Sequence, residues 1–90
     1  MKRVQAIVHG RVQGVFFRDT TRREAQKLGL TGWVKNERDG TVSVTAVGEE
    51  AVLKQFVEYL HHGSPQARVT QVDVTWSEAD QTFDGFSVRW

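Results

Sequence analysis

The sequence predicts an α+β fold with the element order β-α-β-β-α-β and a short additional strand at the C-terminal end. Two segments repeat apolar residues at helical spacing, and each lies between segments that alternate apolar and polar residues. An Asp-Gly pair separates the two middle strand segments, which is a typical hairpin signal. Two strand-helix-strand crossovers joined by a hairpin predict a mainly antiparallel sheet with both helices on one face.

The first strand and first helix are predicted from a change of periodicity. Residues 2–9 alternate, with Val4, Ala6 and Val8 on one face, and Ile7 breaks the alternation in a way that favours a central strand covered on both faces. Residues 17–28 then repeat apolar or small side chains every three or four positions. Gly29 is a natural end for this helix.

The middle of the chain predicts a hairpin followed by the second helix. Strands are expected over residues 32–37 and 41–47, on either side of the turn at residues 38–40. Glu49 and Glu50 suit the positive end of a helix, and a wide apolar stripe follows from Val52 to Leu60. Gly63 and Pro65 predict the end of this helix before the next strand.

The last third of the chain returns to alternation. From Arg68 to Trp76, Thr70, Val72 and Val74 share one parity, and residues 77–82 are polar and typical of a turn. Residues 83–90 predict a short final strand. The complete order is that of the split βαβ, or ferredoxin-like, sandwich, a fold that hosts many unrelated activities.

The composition indicates one soluble globular domain over residues 1–90. The chain has no cysteine, which excludes disulfides, a thiol nucleophile and thiolate metal sites. The N-terminal segment is too short and too polar for a signal peptide, and no apolar run approaches the ~20 residues of a membrane span. We therefore expect a cytoplasmic protein without a membrane partner.

Charge is distributed unevenly, although the formal net charge is only +1. Residues 1–38 hold nine of the twelve lysines and arginines but three of the eleven acids. Such a basic half attracts a small anion or a nucleic-acid backbone.

The turn between the first strand and the first helix has the features of an anion cradle. Gly10 and Gly14 permit backbone conformations in which successive N–H groups point inward, and the following helix starts with unpaired N–H groups at its positive end. Arg18 adds a planar guanidinium that suits two oxygens of one phosphate or carboxylate. From these residues alone, an ordinary glycine turn with an exposed arginine remains the alternative.

Two long motifs resemble the signatures of the acylphosphatase family. Residues 8–18 (Val-His-Gly-Arg-Val-Gln-Gly-Val-Phe-Phe-Arg) resemble the first, and residues 32–48, with Gly-Trp-Val-Lys-Asn at the start, resemble the second, both without a mismatch. The similarity extends to the length, to residues 63–69 and to the ending at residues 86–90.

The resemblance implies hydrolysis of acyl phosphates to a carboxylate and inorganic phosphate, without a metal or other cofactor. Carried over by position, Arg18 and Asn36 would be catalytic. The backbone of the loop would hold the phosphate together with Arg18, through Gln13, Gly14, Val15, Phe16 and Phe17. We expect a monomer that acts on a small molecule and has no nucleic-acid partner.

Other interpretations of the chain are less consistent with its residues. RNA-recognition domains share the element order, but their central strands carry base-stacking aromatics and residues 41–47 have none. Acylphosphatase-like modules also occur inside larger enzymes, whereas a chain of this length favours a stand-alone enzyme. We expect His9, His61 and His62 to bind no metal, and Phe16 and Phe17 to pack in the core or the loop.

Overall fold

In the computed structural model, which describes residues 1–89, the elements follow the predicted order. They are β1 (Lys2–Arg11), α1 (Phe17–Lys27), β2 (Thr31–Asn36), β3 (Val42–Gly48), α2 (Glu50–Leu60), β4 (Arg68–Glu78) and β5 (Phe86–Arg89). Trp90, assigned from the sequence to the last strand, lies outside the described residues.

The five strands form one sheet in the order β4-β1-β3-β2-β5. β1 pairs antiparallel with both β3 and β4, β2 pairs antiparallel with β3, and β2 and β5 are parallel. The predicted α+β sandwich with a mainly antiparallel sheet is confirmed. Because β1 is adjacent to β3, the loop after β1 lies beside the β2–β3 hairpin.

One face of the sheet packs against both helices. Val4, Ala6 and Val8 of β1 are buried in the same cluster as Phe17 of α1 and Phe56 of α2. The edge-to-face contact of Phe56 with Phe86, with ring centroids 5.9 Å apart, joins α2 to β5 across this core. The helices therefore cover one face, and the other face of the sheet is open.

Two local expectations were wrong. Ile7 is 36% exposed, because β1 is central in the sheet but only one of its faces is covered. β1 also continues past the expected end at His9 to Arg11, since a β-bulge lets Gly10 pair with Val69. A β-carbon on Gly10, whose φ is 119°, would overlap the carbonyl oxygen of Arg68.

The same bulge changes the alternation of β4. The register steps from His9 opposite Gln71 to Gly10 opposite Val69, so Thr70 has no counterpart in β1. Val69 thereby joins Val72 and Val74 against the core, and Thr70 is exposed. The parity predicted for Thr70 was wrong for this reason.

At the other end of the chain, the last strand begins later than predicted. β5 starts at Phe86, because the backbone N–H of Phe83 donates to Oγ1 of Thr31 and Phe83 thus belongs to the preceding turn. No helix within residues 1–89 is long and apolar enough to cross a membrane.

Candidate active site

The loop between β1 and α1 is a backbone cradle. Gly14 has φ 74° and Phe16 has φ 62°, both in the left-handed region. Among the described residues, no hydrogen-bond acceptor is bound to the backbone N–H groups of residues 13–17. These donors lie at the N-terminal end of α1, where the helix dipole is positive.

Buried side chains fix both sides of this loop. Val12 precedes the cradle and Phe17 follows it, and each is 1% exposed in the core. Between them, Val15 is also buried, and its carbonyl oxygen accepts a 2.7 Å hydrogen bond from Oγ of Ser64 in the α2–β4 loop. Buried side chains and the Ser64 hydrogen bond therefore hold the loop at both ends and in its middle.

The side chain of Gln13 connects the cradle to the β2–β3 hairpin. Its Nε2 donates to the carbonyl oxygens of Glu37 at 2.7 Å and Thr41 at 2.9 Å. The hairpin is closed by Asp39, whose Oδ1 accepts from the backbone N–H and the hydroxyl of Thr41 at 3.0 and 2.6 Å. These two hydrogen bonds from Thr41 hold the pKa of the Asp39 carboxyl below its ordinary value.

Asn36 is the last residue of β2 and pairs with Val42 of β3. Its Oδ1 is buried and has no hydrogen-bond partner within residues 1–89. A buried carbonyl without a partner costs about 1–3 kcal/mol, which makes this atom unusual in a well-packed sheet. Asn36 and the cradle border the same pocket.

Arg18 lies in the first turn of α1 and borders this pocket. Its Nη1 is 3.5 Å from the carbonyl oxygen of Arg89 in β5, at the long limit of a hydrogen bond. Asp19 also borders the pocket, but its carboxylate is bound by Arg22 at 2.7 Å and Arg23 at 3.1 Å. Two guanidinium groups thus compensate the charge of the Asp19 carboxylate on the pocket wall.

The pocket has a volume of about 480 Å³, within the range of small-molecule sites. It brings together the positive charge of Arg18, the backbone of the cradle, Asn36 and several apolar side chains. Its wall is formed by Val12, Gly14, Phe16, Phe17, Arg18, Asp19, Arg22, Asn36 and Val88.

Most of the residues selected from the sequence meet at this pocket. Gly14, Phe16, Phe17, Arg18 and Asn36 line it, as the two motifs require. The side chains of Gln13 and Val15 do not line it, because the first reaches the hairpin and the second packs inward.

The two phenylalanines differ in their surroundings. Phe17 is buried in the core as expected, but Phe16 is 72% exposed at the pocket, so the expectation that it packs was wrong. Its left-handed backbone conformation turns the ring away from the core. A sequence pattern that places two aromatics side by side cannot reveal which one turns outward.

Two supporting residues, Ser64 and Asp19, were missed by the sequence interpretation. Ser64 anchors the cradle, and Asp19 with Arg22 forms an ion pair at the pocket wall. Only the position of Ser64 within the motif-like segment 63–69 could have indicated a role. The partners of Asp19 and Arg22 follow from ordinary helical spacing, which also describes many solvated ion pairs.

The three histidines make separate local contacts. His9 Nε2 lies 2.9 Å from Asp73, His61 Nδ1 lies 3.0 Å from the carbonyl oxygen of Val57, and His62 lies 3.6 Å from Glu58. In the described part of the chain, no three His, Asp or Glu side chains are grouped so as to hold a metal ion.

Comparison with known proteins identifies the family. The acylphosphatase family model matches residues 4–88. The chain belongs to the acylphosphatase family. Members are acylphosphate phosphohydrolases, so the chain is an enzyme that hydrolyses small acyl phosphates.

Individual relatives cover almost the whole chain. An acylphosphatase of Salinibacter ruber is 52% identical over 88 residues, which are 98% of this chain and 93% of the relative. The crystal structure of the acylphosphatase from Bacillus subtilis is 44% identical and superimposes with a TM-score of 0.96, covering 100% of both chains.

The same fold also occurs within a larger protein. HypF from T. kodakarensis is 29% identical with a TM-score of 0.85, and the match covers 99% of this chain but 12% of HypF. The likeness therefore concerns one small part of HypF.

Proposed function

We propose that the enzyme hydrolyses acyl phosphates without a metal ion, with Arg18 and the backbone of residues 13–17 binding the phosphoryl group and Asn36 orienting the attacking water. The single observation that carries this proposal is the shared pocket, which Arg18, the cradle and Asn36, whose Oδ1 has no hydrogen-bond partner in the described residues, all border.

The reaction needs little acid–base assistance. The water oxygen attacks phosphorus, the bond from phosphorus to the acyl oxygen breaks, and the carboxylate leaves with that electron pair. Its conjugate acid has a pKa near ~4, so the leaving group needs no proton at neutral pH. The proton released by the water passes to phosphate or solvent.

Charge stabilisation and positioning therefore supply most of the catalysis. The transition state for phosphoryl transfer is loose, with negative charge on the equatorial oxygens. The N–H groups of residues 13–17 and the Arg18 guanidinium are donors suited to these oxygens. Because buried residues and Ser64 fix the loop, its donors need not reorganise during the reaction.

Asn36 would act by orientation, since an amide is a poor base. Its Oδ1 can accept a hydrogen from the water, and the terminal torsion of asparagine is soft enough to turn this atom toward the pocket. A water held in line with the departing oxygen has a lower entropic barrier to attack.

The proposal includes a stand-alone monomer in the cytoplasm, with inorganic phosphate as a product and no nucleic-acid or membrane partner. Support for the stand-alone enzyme comes from relatives such as that of S. ruber, of which the chain covers 93%. Light scattering after gel filtration measures the mass of the protein in solution. We expect the mass of a monomer, and the mass of a dimer would contradict this part of the proposal.

The direct test measures release of phosphate from benzoyl phosphate with and without a chelator. We expect chelator-insensitive turnover by the wild-type enzyme and a fall of about a hundred- to thousandfold in kcat/KM for Arg18→Ala. Inorganic phosphate should inhibit competitively. Chelator-sensitive turnover would contradict the metal-free reaction, and an Arg18→Ala enzyme with wild-type kinetics would contradict the role of Arg18.

A further inference from the structure

The pocket extends beyond what a phosphoryl group can fill. It has a volume of about 480 Å³ and is lined by apolar side chains in addition to Arg18 and the cradle. A phosphoryl group held by Arg18 and the cradle would occupy a small part of it. Because the remainder is continuous with the phosphate end, the acyl group of the same substrate is its natural occupant.

Phe16 lies on the wall of this pocket. It is 72% exposed, whereas the ring of the adjacent Phe17 is 1% exposed and belongs to the core. Core packing therefore does not account for a phenylalanine at position 16. An exposed aromatic ring on a pocket wall gains apolar contact only when a ligand covers it.

The backbone fixes the position from which this ring projects. The carbonyl oxygen of Phe16 accepts from the backbone N–H of Thr20 at 3.0 Å and from its Oγ1 at 3.1 Å. Phe16 is also the only residue other than glycine with a positive φ within residues 1–89. A non-glycine residue in this conformation is strained, and the hydrogen bonds from Thr20 help to hold it there.

The other side chains around the ring favour an uncharged acyl group. Val12 and Val88 are apolar, and Arg18 is assigned to the phosphoryl oxygens. Nη2 of Arg22 is bound to Asp19 at 2.7 Å, which compensates the charge of the guanidinium, and its Nε is buried without a hydrogen-bond partner in the described residues. The wall therefore offers apolar contact rather than a further uncompensated positive charge.

We propose that Phe16 forms the wall of an acyl-group subsite and that its ring makes the enzyme favour acyl phosphates with an apolar, aromatic acyl group over those with a small one. This inference rests on the proposed function, because it assumes that the phosphoryl group binds at Arg18. Phe16 is thus a specificity-determining residue, distinct from the catalytic Arg18 and Asn36.

The test compares kcat/KM for benzoyl phosphate and acetyl phosphate in the same preparations. The readout is the benzoyl-to-acetyl ratio, which a general disturbance of the loop would leave unchanged. Phe16→Ala removes the ring, Phe16→Asn removes it with a residue that tolerates the left-handed conformation, and Phe16→Trp retains an aromatic surface. Trp76→Ala is the matched control, because Trp76 is 40% exposed and does not line this pocket.

We expect the ratio to fall about two- to tenfold in Phe16→Ala and Phe16→Asn, as for the loss of one aromatic contact. Phe16→Trp and Trp76→Ala should keep the wild-type ratio. A ratio that stays constant in Phe16→Ala and Phe16→Asn, while acetyl phosphate turnover still depends on Arg18, would overturn the subsite alone. A wild-type enzyme that hydrolyses neither substrate would overturn the proposed function and the subsite together.

Discussion

The side-chain amide of Gln13 donates a 2.7 Å hydrogen bond to the carbonyl oxygen of Glu37, the residue that follows Asn36. A second hydrogen bond from the same nitrogen reaches Thr41 on the opposite side of the hairpin. The anion cradle and the residue proposed to orient the water are therefore joined by one side chain. In this account, Gln13 contributes to the relative position of two parts of the active site.

Gln13→Glu should be more damaging than Gln13→Ala. Alanine leaves two carbonyl oxygens without their donor, at a cost of about 1–3 kcal/mol in the free energy of unfolding. Glutamate adds a carboxylate that faces the same two oxygens and cannot donate when ionised. Urea denaturation measures both effects, and Gln81→Ala, at an exposed position, should change stability by less than about 0.5 kcal/mol. Equal stability of the glutamate variant and the wild type would contradict this role.

Gly10→Ala and Gly14→Ala should show whether glycine is required because a side chain would clash or because the backbone is in a left-handed conformation. Both glycines have positive φ, but a β-carbon at position 10 meets the backbone of Arg68 and one at position 14 has no atom within 4 Å. We expect Gly14→Ala to cost about 1–2 kcal/mol of stability, and Gly10→Ala to cost more because the β1–β4 bulge must shift.

Thermal denaturation of these two glycine variants provides the comparison. Gly14→Ala should also lower affinity for inorganic phosphate, since its strain alters the N–H groups of the cradle. A Gly10→Ala protein as stable as Gly14→Ala would show that the close approach to Arg68 is unimportant.

Acid should destabilise the hairpin through Asp39. The pKa of its carboxyl is lowered in the folded protein by the hydrogen bonds from Thr41, so the unfolded chain binds the proton first as pH falls. The stabilisation from the ionised Asp39 carboxylate is fully present above the ordinary pKa of an aspartate and is lost as the pH falls below about 4. Asp39→Asn should reduce the slope of unfolding free energy against pH in this range.

Asp73 and Glu78 retain part of the acid dependence in that variant, because hydrogen bonds lower the pKa of both carboxyls. The measurement is urea denaturation at several pH values between neutrality and the acid range. If the free energy of unfolding of Asp39→Asn depends on pH as steeply as that of the wild type, the acid sensitivity comes from the other carboxyl groups and not from Asp39.

The spacing of apolar residues was sufficient to predict the fold because most helices and strands place their apolar residues on one face. The buried face of β1 and the apolar stripe of α2 follow directly from residue spacing. The bulge opposite Gly10 was not predictable, because pairing with Val69 depends on a strand almost sixty residues away. Exposure of Ile7 depends on which sheet face remains uncovered, and spacing within one strand contains no such information.

The site was predictable to the extent that it depends on local motifs. Gly14, Arg18 and Asn36 were identified from two motifs, and the fold brings them to one pocket. The link from Gln13 to the hairpin and the support of Val15 by Ser64 were not predicted. These contacts join segments that are distant in sequence. A glutamine or serine side chain can form hydrogen bonds with many different groups, so the sequence around it does not predict which group it contacts.

In the proposed mechanism, Arg18 with the cradle binds the phosphate and Asn36 orients the water, so the two tasks are performed by different residues. This division is tested most directly by kcat for benzoyl phosphate and the inhibition constant of inorganic phosphate in Asn36→Ala, with Arg18→Ala measured alongside. We expect Asn36→Ala to lower kcat by about a hundredfold through lost positioning while its phosphate affinity changes little, and Arg18→Ala to weaken phosphate binding as well. Equal losses of kcat and phosphate affinity in Asn36→Ala would contradict the division of roles between Asn36 and Arg18.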